Sequence, residues 1–419
     1  MHMDEPLAVH SLHFERGEPA CGAIPLWDPV TDTRLGELPE WIRGRREEPI
    51  AYVRGARPSV RVTLLANHFV PRAFDLSAFG PGLVEDGTVR WVGPHPVTLE
   101  RTAGWTTLPE PVHFNRPLPQ RIGTHALELQ WYAEWTDEHG AARRLFLGDT
   151  RHEVHTTGAP MEHGLPGAPP TGAYAPLLRW SSRWCAGLQG RKALCDALLR
   201  GLPETGLKYG VPAWSVRHML VAGGGMCGGW YQLFQQLANC QGVTVEGRTL
   251  HLMPLHDPRT DEVRWEALVA VAPGLNQVEP GRQTRFQGWF NDCARYPFAP
   301  DAPVGLLGRQ DARYCFFAGW DDGHSVCFLE DGGRLYLYDA SFRTEAVPLD
   351  MPLPSPDGQP MLLGPESSFR RDYLHQAMPY VMGTLRANGR LWEVDVMRGA
   401  FGLTVRTEQV PELGIQWTR

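Results

Sequence analysis

Two segments of this chain carry the residue types of thiol chemistry. The first reads Gly-Gly-Gly-Met-Cys-Gly-Gly-Trp-Tyr-Gln-Leu-Phe-Gln-Gln-Leu, with its sulfur at Cys227; the second reads Gly-His-Ser-Val-Cys-Phe-Leu-Glu-Asp-Gly-Gly-Arg-Leu-Tyr-Leu-Tyr-Asp and runs from Gly323 to Asp339. Cys227, His324 and Asp339 are the nucleophile, base and orienting carboxylate that a cysteine enzyme needs. A thiolate attacks a carboxamide or peptide carbonyl, a thioester forms, and an amine or water resolves it. The carboxylate is assigned from hairpin geometry. Asp331-Gly332 between two alternating apolar runs predicts a two-residue turn. That turn pairs Glu330 with Gly333 and, counted outward, sets His324 directly opposite Asp339, with Cβ atoms about 5 Å apart. An Asp so placed accepts one imidazole N–H and leaves the other ring nitrogen to a thiol. A slip of one residue would send the two side chains to opposite faces.

The elements that must hold these groups follow from periodicity. Trp230, Leu233, Phe234, Leu237 and Ala238 form the stripe of a core-facing helix, with Gly242 as its stop. Cys227 therefore stands at the helix entrance, where unpaired N–H groups and the positive end of the dipole favour a thiolate and can hold an oxyanion. Gly223, Gly224, Gly225, Gly228 and Gly229 are expected to clear space around the sulfur for a substrate backbone. No Ser, Thr, Asp or Asn fills the cap position. Cys21, Cys185, Cys195, Cys240, Cys293, Cys315 and Cys327 read as small buried hydrophobes. The pairs His152/His155 and His251/His256 lack a third ligand at a sensible spacing, so no metal is expected, and no cofactor motif is present.

The Cys227 and His324–Asp339 segments resemble the transglutaminase-like branch of the papain-like cysteine enzymes, whose members carry a Cys at the start of a helix and then a His and an Asp on adjacent strands. The resemblance covers residues 214–342 and rests on Cys227, His324 and Asp339. It implies a Cys-His-Asp triad with Cys227 as nucleophile, His324 as general base and acid, and Asp339 as orienter. Val221 stands where papain carries its oxyanion-hole Gln. By the same resemblance Trp214 is a candidate indole donor, and Gly228 and Trp230 are candidate oxyanion or substrate contacts. The interval between Cys227 and His324 implies an insertion near 251–303.

A chain of 419 residues exceeds what one core usually serves, so two domains are expected. The net charge of −7 and the absence of any Lys/Arg block argue against nucleic acid as a partner. Lys192 and Lys208 are the only lysines, the codon habit of a GC-rich, bacterial genome. No run of apolar residues is long enough to span a membrane, and the amino terminus lacks the regions of a signal peptide. The expectation is a soluble, cytoplasmic protein, with export by a specialised secretion system left open. Eight cysteines without a C-x-x-C pair make neither a disulfide scaffold nor a zinc site.

Short alternating runs through residues 59–65, 126–135 and 144–148, punctuated by Gly, Pro and Asp, predict a β-rich amino-terminal domain over 1–155, sandwich-like. Residues 156–176 turn to Gly, Pro, Ala and Thr and read as a linker. The transglutaminase-like catalytic domain then spans 177–419. Within it the pattern predicts helices over 180–201 and 367–387, strands near 243–253, 313–320, 325–330 and 334–339, an irregular wall or lid over 257–303, and a last hairpin through 391–410. The fold class expected is α+β, a helix bearing Cys packed on an antiparallel sheet bearing His and Asp. Two functions are consistent with these residues. One is an acyl-transfer enzyme acting on a protein or peptide substrate, as transglutaminase, deamidase or protease. The other is a non-catalytic scaffold or binding module that keeps the fold. The oligomeric state is not readable from the chain.

Overall fold

The computed structural model describes residues 5–14, 23–35, 39–67, 72–84, 87–99, 103–209, 211–252, 255–257, 262–271, 314–317, 324–341, 346–349, 361–363, 382–388, 391–397, 409–410 and 415–417. These residues form a mixed α+β, strand-rich structure with mostly antiparallel sheets and, among the described residues, four α-helices: α1 (Ala175–Trp184), α2 (Arg191–Gly201), α3 (Val216–Ala222) and α4 (Cys227–Asn239). The chain divides into two compact units, one of residues 1–194 and 236–243, the other of residues 195–235 and 244–419.

In the first unit, alternation in the sequence becomes alternation in space. Along Gly123–Thr136, Leu127, Leu129, Trp131 and Ala133 are buried while Glu128 and Gln130 are exposed. Each of the two leucines contributes about 1.5–3 kcal/mol relative to exposure. Gly123–Thr136 pairs antiparallel with Ala142–Thr157 and with Ala73–Pro81 in a five-stranded sheet. A six-stranded sheet is built on Leu7–Phe14 and Ser59–Asn67. Leu12, Phe14, Val62 and Leu64 from that sheet join Leu76, Leu129 and Trp131 from the other in one buried cluster. The stretch expected to be a linker takes part in structure at its end, where Ala173–Tyr174 pairs in parallel with Leu26–Asp28. Helix α1 starts directly after it, with Pro176 in its first turn, where a missing N–H costs nothing.

The single helix expected over 180–201 is two. Gly187 and Gly190 sit at φ 73° and 86° between α1 and α2, and this left-handed backbone, which glycine adopts without penalty, cannot continue a right-handed helix. In the second unit, Glu246–Leu252 pairs with His324–Asp331, which pairs in turn with Arg334–Tyr338. Together with Val347–Leu349 and Met361–Leu363 they make a five-stranded sheet. Two further expectations need correction. Part of the irregular stretch is a ten-residue strand, Glu262–Val271, and the end of the expected carboxy-terminal helix is the strand Met382–Asn388, which pairs with Leu391–Met397. Residues 272–303 and 367–381 lie outside the described residues.

Candidate active site

The loop before Cys227 is shaped by its glycines. Gly223 adopts φ 80° and caps α3, donating its N–H to the Met219 carbonyl at 2.9 Å. Gly224–Gly225 then pairs in parallel with Lys208–Tyr209. The Met226 N–H binds the Ala213 carbonyl at 3.0 Å, and the Met226 carbonyl accepts from Gly229 at 2.9 Å and Trp230 at 3.0 Å, which opens α4. Cys227 is the first residue of that helix, as its sequence predicts. The Gly229 and Trp230 amides are thus taken up by the Met226 carbonyl, and the positive end of the helix dipole lowers the energy of an anion beside this turn.

Three of the glycines answer to the protein itself and not to a substrate. A Cβ on Gly224 would lie 2.0 Å from the Lys208 carbonyl oxygen, and Cβ atoms on Gly225 and Gly229 would lie 2.5 and 2.4 Å from the Met219 side chain. Their small size lets the Lys208–Tyr209 strand and α3 close on the loop. Gly228 faces Trp214, and a Cβ there would sit 3.2 Å from the indole ring. Trp214 itself is 58% exposed, so the turn that starts at Cys227 has an accessible aromatic wall. Trp230 is corrected: it is wholly buried and donates its indole N–H to the Gly225 carbonyl at 3.1 Å. That donor is committed to closing the loop, and the ring belongs to the core.

Five cysteines are described. Cys185, Cys195, Cys240 and Cys327 are buried, and Cys227 is partly exposed. Burial pushes the Cys185 thiol up to about 12. It also raises Cys240, with Cys185 adding to the effect, and Cys327, with Cys195 and Asp339 adding to it. A thiolate is costly at these positions because nothing replaces the water it loses. The reading of these four as buried fillers holds; Cys21, Cys293 and Cys315 fall outside what is described of side chains.

The His324–Asp339 hairpin forms with a different register from the one the dipeptide Asp-Gly predicts. Asp331 pairs with Arg334, and the turn is Gly332-Gly333 at φ 59° and 75°. Both central positions of such a turn need positive φ, and two glycines meet that demand at less cost than Asp331 and Gly332. The ladder is displaced by two residues, so the alternation of faces survives but direct opposition does not. The last pair of the ladder is Cys327 with Tyr338. Asp339 itself follows the end of the strand Arg334–Tyr338. On its other side His324 pairs with Leu250; its side chain lies outside the described residues.

Asp339 is wholly buried, and its Oδ1 accepts the Ser341 N–H at 2.9 Å, the short-range bond by which Asp residues shape turns. The hairpin is tied to α4 and to Asp196 in the middle of α2. The Cys327 thiol donates to the Tyr231 carbonyl at 3.3 Å, and the Tyr338 ring stacks on Phe234 at 5.2 Å. The Tyr338 hydroxyl donates to Asp196 at 2.8 Å. Burial first, then Cys195 and Asp196, keep that hydroxyl protonated well beyond its ordinary range. Sequence reasoning did not single out Asp196 or Tyr338 as anchors; the signal available was one acid inside the apolar run 193–199. Cys227, His324 and Asp339 all belong to the second compact unit.

His152 and His155, weighed as a metal pair, both lie on Ala142–Thr157 and bond to other partners, His152 to Thr150 at 3.0 Å and His155 to Glu153 at 2.9 Å. Side chains of His251 and His256 are outside the described residues. No helix among the described residues is long and apolar enough to cross a membrane. In comparison with known proteins, no family model and no curated protein matches the chain.

Proposed function

We propose that the chain is a cysteine-dependent acyl-transfer enzyme with a transglutaminase-like, papain-like core, acting on an amide of a protein or peptide through Cys227, His324 and Asp339. The observation that carries the reading is the contrast between Cys227 and its fellow cysteines. It alone among the described cysteines is partly exposed, and it occupies the first residue of α4, where the helix amides favour a thiolate and a developing oxyanion. The strand pair beginning at His324 and ending beside Asp339 lies in the same compact unit. The exposed indole of Trp214 beside Gly228 supplies a surface against which a substrate chain can lie. In this reading the thiolate of Cys227 displaces the amide nitrogen, His324 gives that nitrogen its proton, and an amine or water then opens the thioester.

Incubation of the wild type and Cys227→Ala with a mixed protein extract and a tagged primary amine, followed by mass spectrometry, tests the reading. Amine incorporation, a one-dalton gain at Gln, or backbone cleavage identifies a transglutaminase, a deamidase or a protease. The reading requires one of the three to be present in the wild type and absent from Cys227→Ala. A modification that survives in Cys227→Ala removes Cys227 from the chemistry. The second reading, a non-catalytic scaffold, draws on the Asp339 bond to Ser341, which gives that carboxylate a structural task; it requires that none of the three products form.

A further inference from the structure

Tyr338 is the last residue of the strand Arg334–Tyr338, and the chain leaves the sheet through Asp339. The place of the Asp339 carboxylate therefore depends on how firmly the residue before it is held. Tyr338 is wholly buried and held twice. Its ring stacks on Phe234 of α4 with centroids 5.2 Å apart and planes 25° apart, and its hydroxyl donates to Asp196 Oδ1 of α2 at 2.8 Å. Its ladder partner Cys327 is fastened as well, by the thiol that donates to the Tyr231 carbonyl of α4 at 3.3 Å. Phe234 stands seven residues after Cys227, two turns along on the same face of the helix. All of these residues lie in one compact unit.

The ring and the hydroxyl of Tyr338 have different tasks. A Phe at this position would keep the stack on Phe234, so packing of the hairpin on α4 needs the ring alone. The hydroxyl is there for Asp196, the one acid in the apolar run 193–199. A carboxylate brought against a core is costly unless a donor meets it. Burial first, then Cys195 and Asp196, keep the phenol protonated, so it remains a donor. A hydrogen bond to a carboxylate is short and directional, whereas a stacked ring has latitude to slide across its partner. The bond therefore fixes the strand end in a direction that stacking leaves loose.

We propose that Tyr338 and Asp196 are positioning residues of the Cys227 site, their hydrogen bond fixing the strand end from which Asp339 departs and, through it, the carboxylate that orients His324. The inference rests on the acyl-transfer reading and adds to it a pair outside the triad. A displacement of about 1 Å among reacting groups can cost about a hundredfold in rate. A pair that served packing alone would change the melting temperature and nothing else.

Tyr338→Phe and Asp196→Asn in the full chain separate these roles. Tyr338→Phe keeps the ring and loses the bond; Asp196→Asn keeps an oxygen for the hydroxyl. With the product found in the extract experiment as readout, Tyr338→Phe should lower kcat by about tenfold to a hundredfold with KM unchanged, and Asp196→Asn should retain most of the wild-type kcat. The rate at which iodoacetamide alkylates Cys227, followed against pH, gives a readout that needs no substrate. Its midpoint in Tyr338→Phe should move up toward that of a free thiol, because an imidazolium no longer held beside the sulfur stabilises the thiolate less. In Asp196→Asn it should stay at the wild-type value. Where Tyr338→Phe does not fold, Asp196→Ala replaces it, with the same losses expected. Wild-type kcat and midpoint in the folded variant that lacks the bond would overturn the proposal, as would losses in Asp196→Asn equal to those of Tyr338→Phe. A wild type that forms none of the three products removes the acyl-transfer reading, and this inference falls with it; products in the wild type beside an unaltered Tyr338→Phe remove this inference alone.

Discussion

A thiol at the first residue of a helix and a thiol inside a core obey opposite electrostatics, and this chain contains both kinds. Cys185, held at about 12 by burial, exposes about one thiolate in ten thousand at pH 8. Brief alkylation of the native protein with iodoacetamide should therefore label Cys227 first, with Cys185, Cys195, Cys240 and Cys327 labelled only after unfolding, as read by peptide mass spectrometry. Equal labelling of Cys185 and Cys227 in the folded protein would remove the distinction on which the proposed chemistry rests. Asp339 carries two separable tasks. Asp339→Asn keeps an oxygen for the Ser341 N–H and should leave thermal stability near that of the wild type. Asp339→Ala loses the bond and should cost about 1–3 kcal/mol, as a buried donor left without an acceptor does. If the carboxylate also orients His324, Asp339→Asn should lower kcat by orders of magnitude despite its stability. A variant that keeps both stability and kcat would restrict the residue to its turn.

Elements, unlike single side chains, were largely readable where one periodicity dominates. Trp230, Leu233, Phe234, Leu237 and Ala238 are all wholly buried on α4, as their spacing demands, because a 3.6-residue period leaves one face for the core. The hairpin was readable in kind but not in register, since Asp331-Gly332 and Gly332-Gly333 both suit a two-residue turn and only the backbone chooses. The glycines around Cys227 misled for a different reason. A missing Cβ records that something approaches closely, and the sequence does not say whether that is substrate or the protein's own Met219. This yields a graded prediction for thermal melts. Gly229→Ala should destabilise by about 1–3 kcal/mol, the usual cost of overpacking, and Met219→Ala should recover part of that loss in the double variant. Gly224→Ala meets the Lys208 backbone at 2.0 Å, should cost more, and should not be recovered by Met219→Ala. Additive effects of Gly229→Ala and Met219→Ala would place the crowding elsewhere.

At the scale of the molecule, the shift from β-rich to helix-containing sequence near residue 156 was legible, but the compact units part at residue 194 and share α4 between residues 235 and 236. Composition reports where turns accumulate, whereas compactness follows contacts, and the helix α1 contacts the strands Gly123–Thr136 and Ala142–Thr157 of the first unit. That unit also holds two histidines whose neutrality is imposed by burial, His152 at about 3 and His155 at about 4, the latter against an opposing pull from Glu153. Released into water on unfolding, each ring would take up a proton below about 6.5. Between that pH and the folded values the unfolded chain binds more protons, so stability rises with pH in this window and gains nothing more from these rings above it. Acidification from pH 6.5 to 5 should therefore destabilise the protein by up to about 2 kcal/mol for each ring, in a range where most carboxylates remain ionised. His152→Gln removes one titrating group while keeping a polar partner for Thr150, which itself accepts the Trp131 indole N–H at 3.0 Å. Thermal melts from pH 7 to 5 should show a falling midpoint for the wild type, a shallower fall for His152→Gln and a shallower one again with His155→Gln added. Parallel slopes in all three proteins would mean that both rings reach solvent in the folded state.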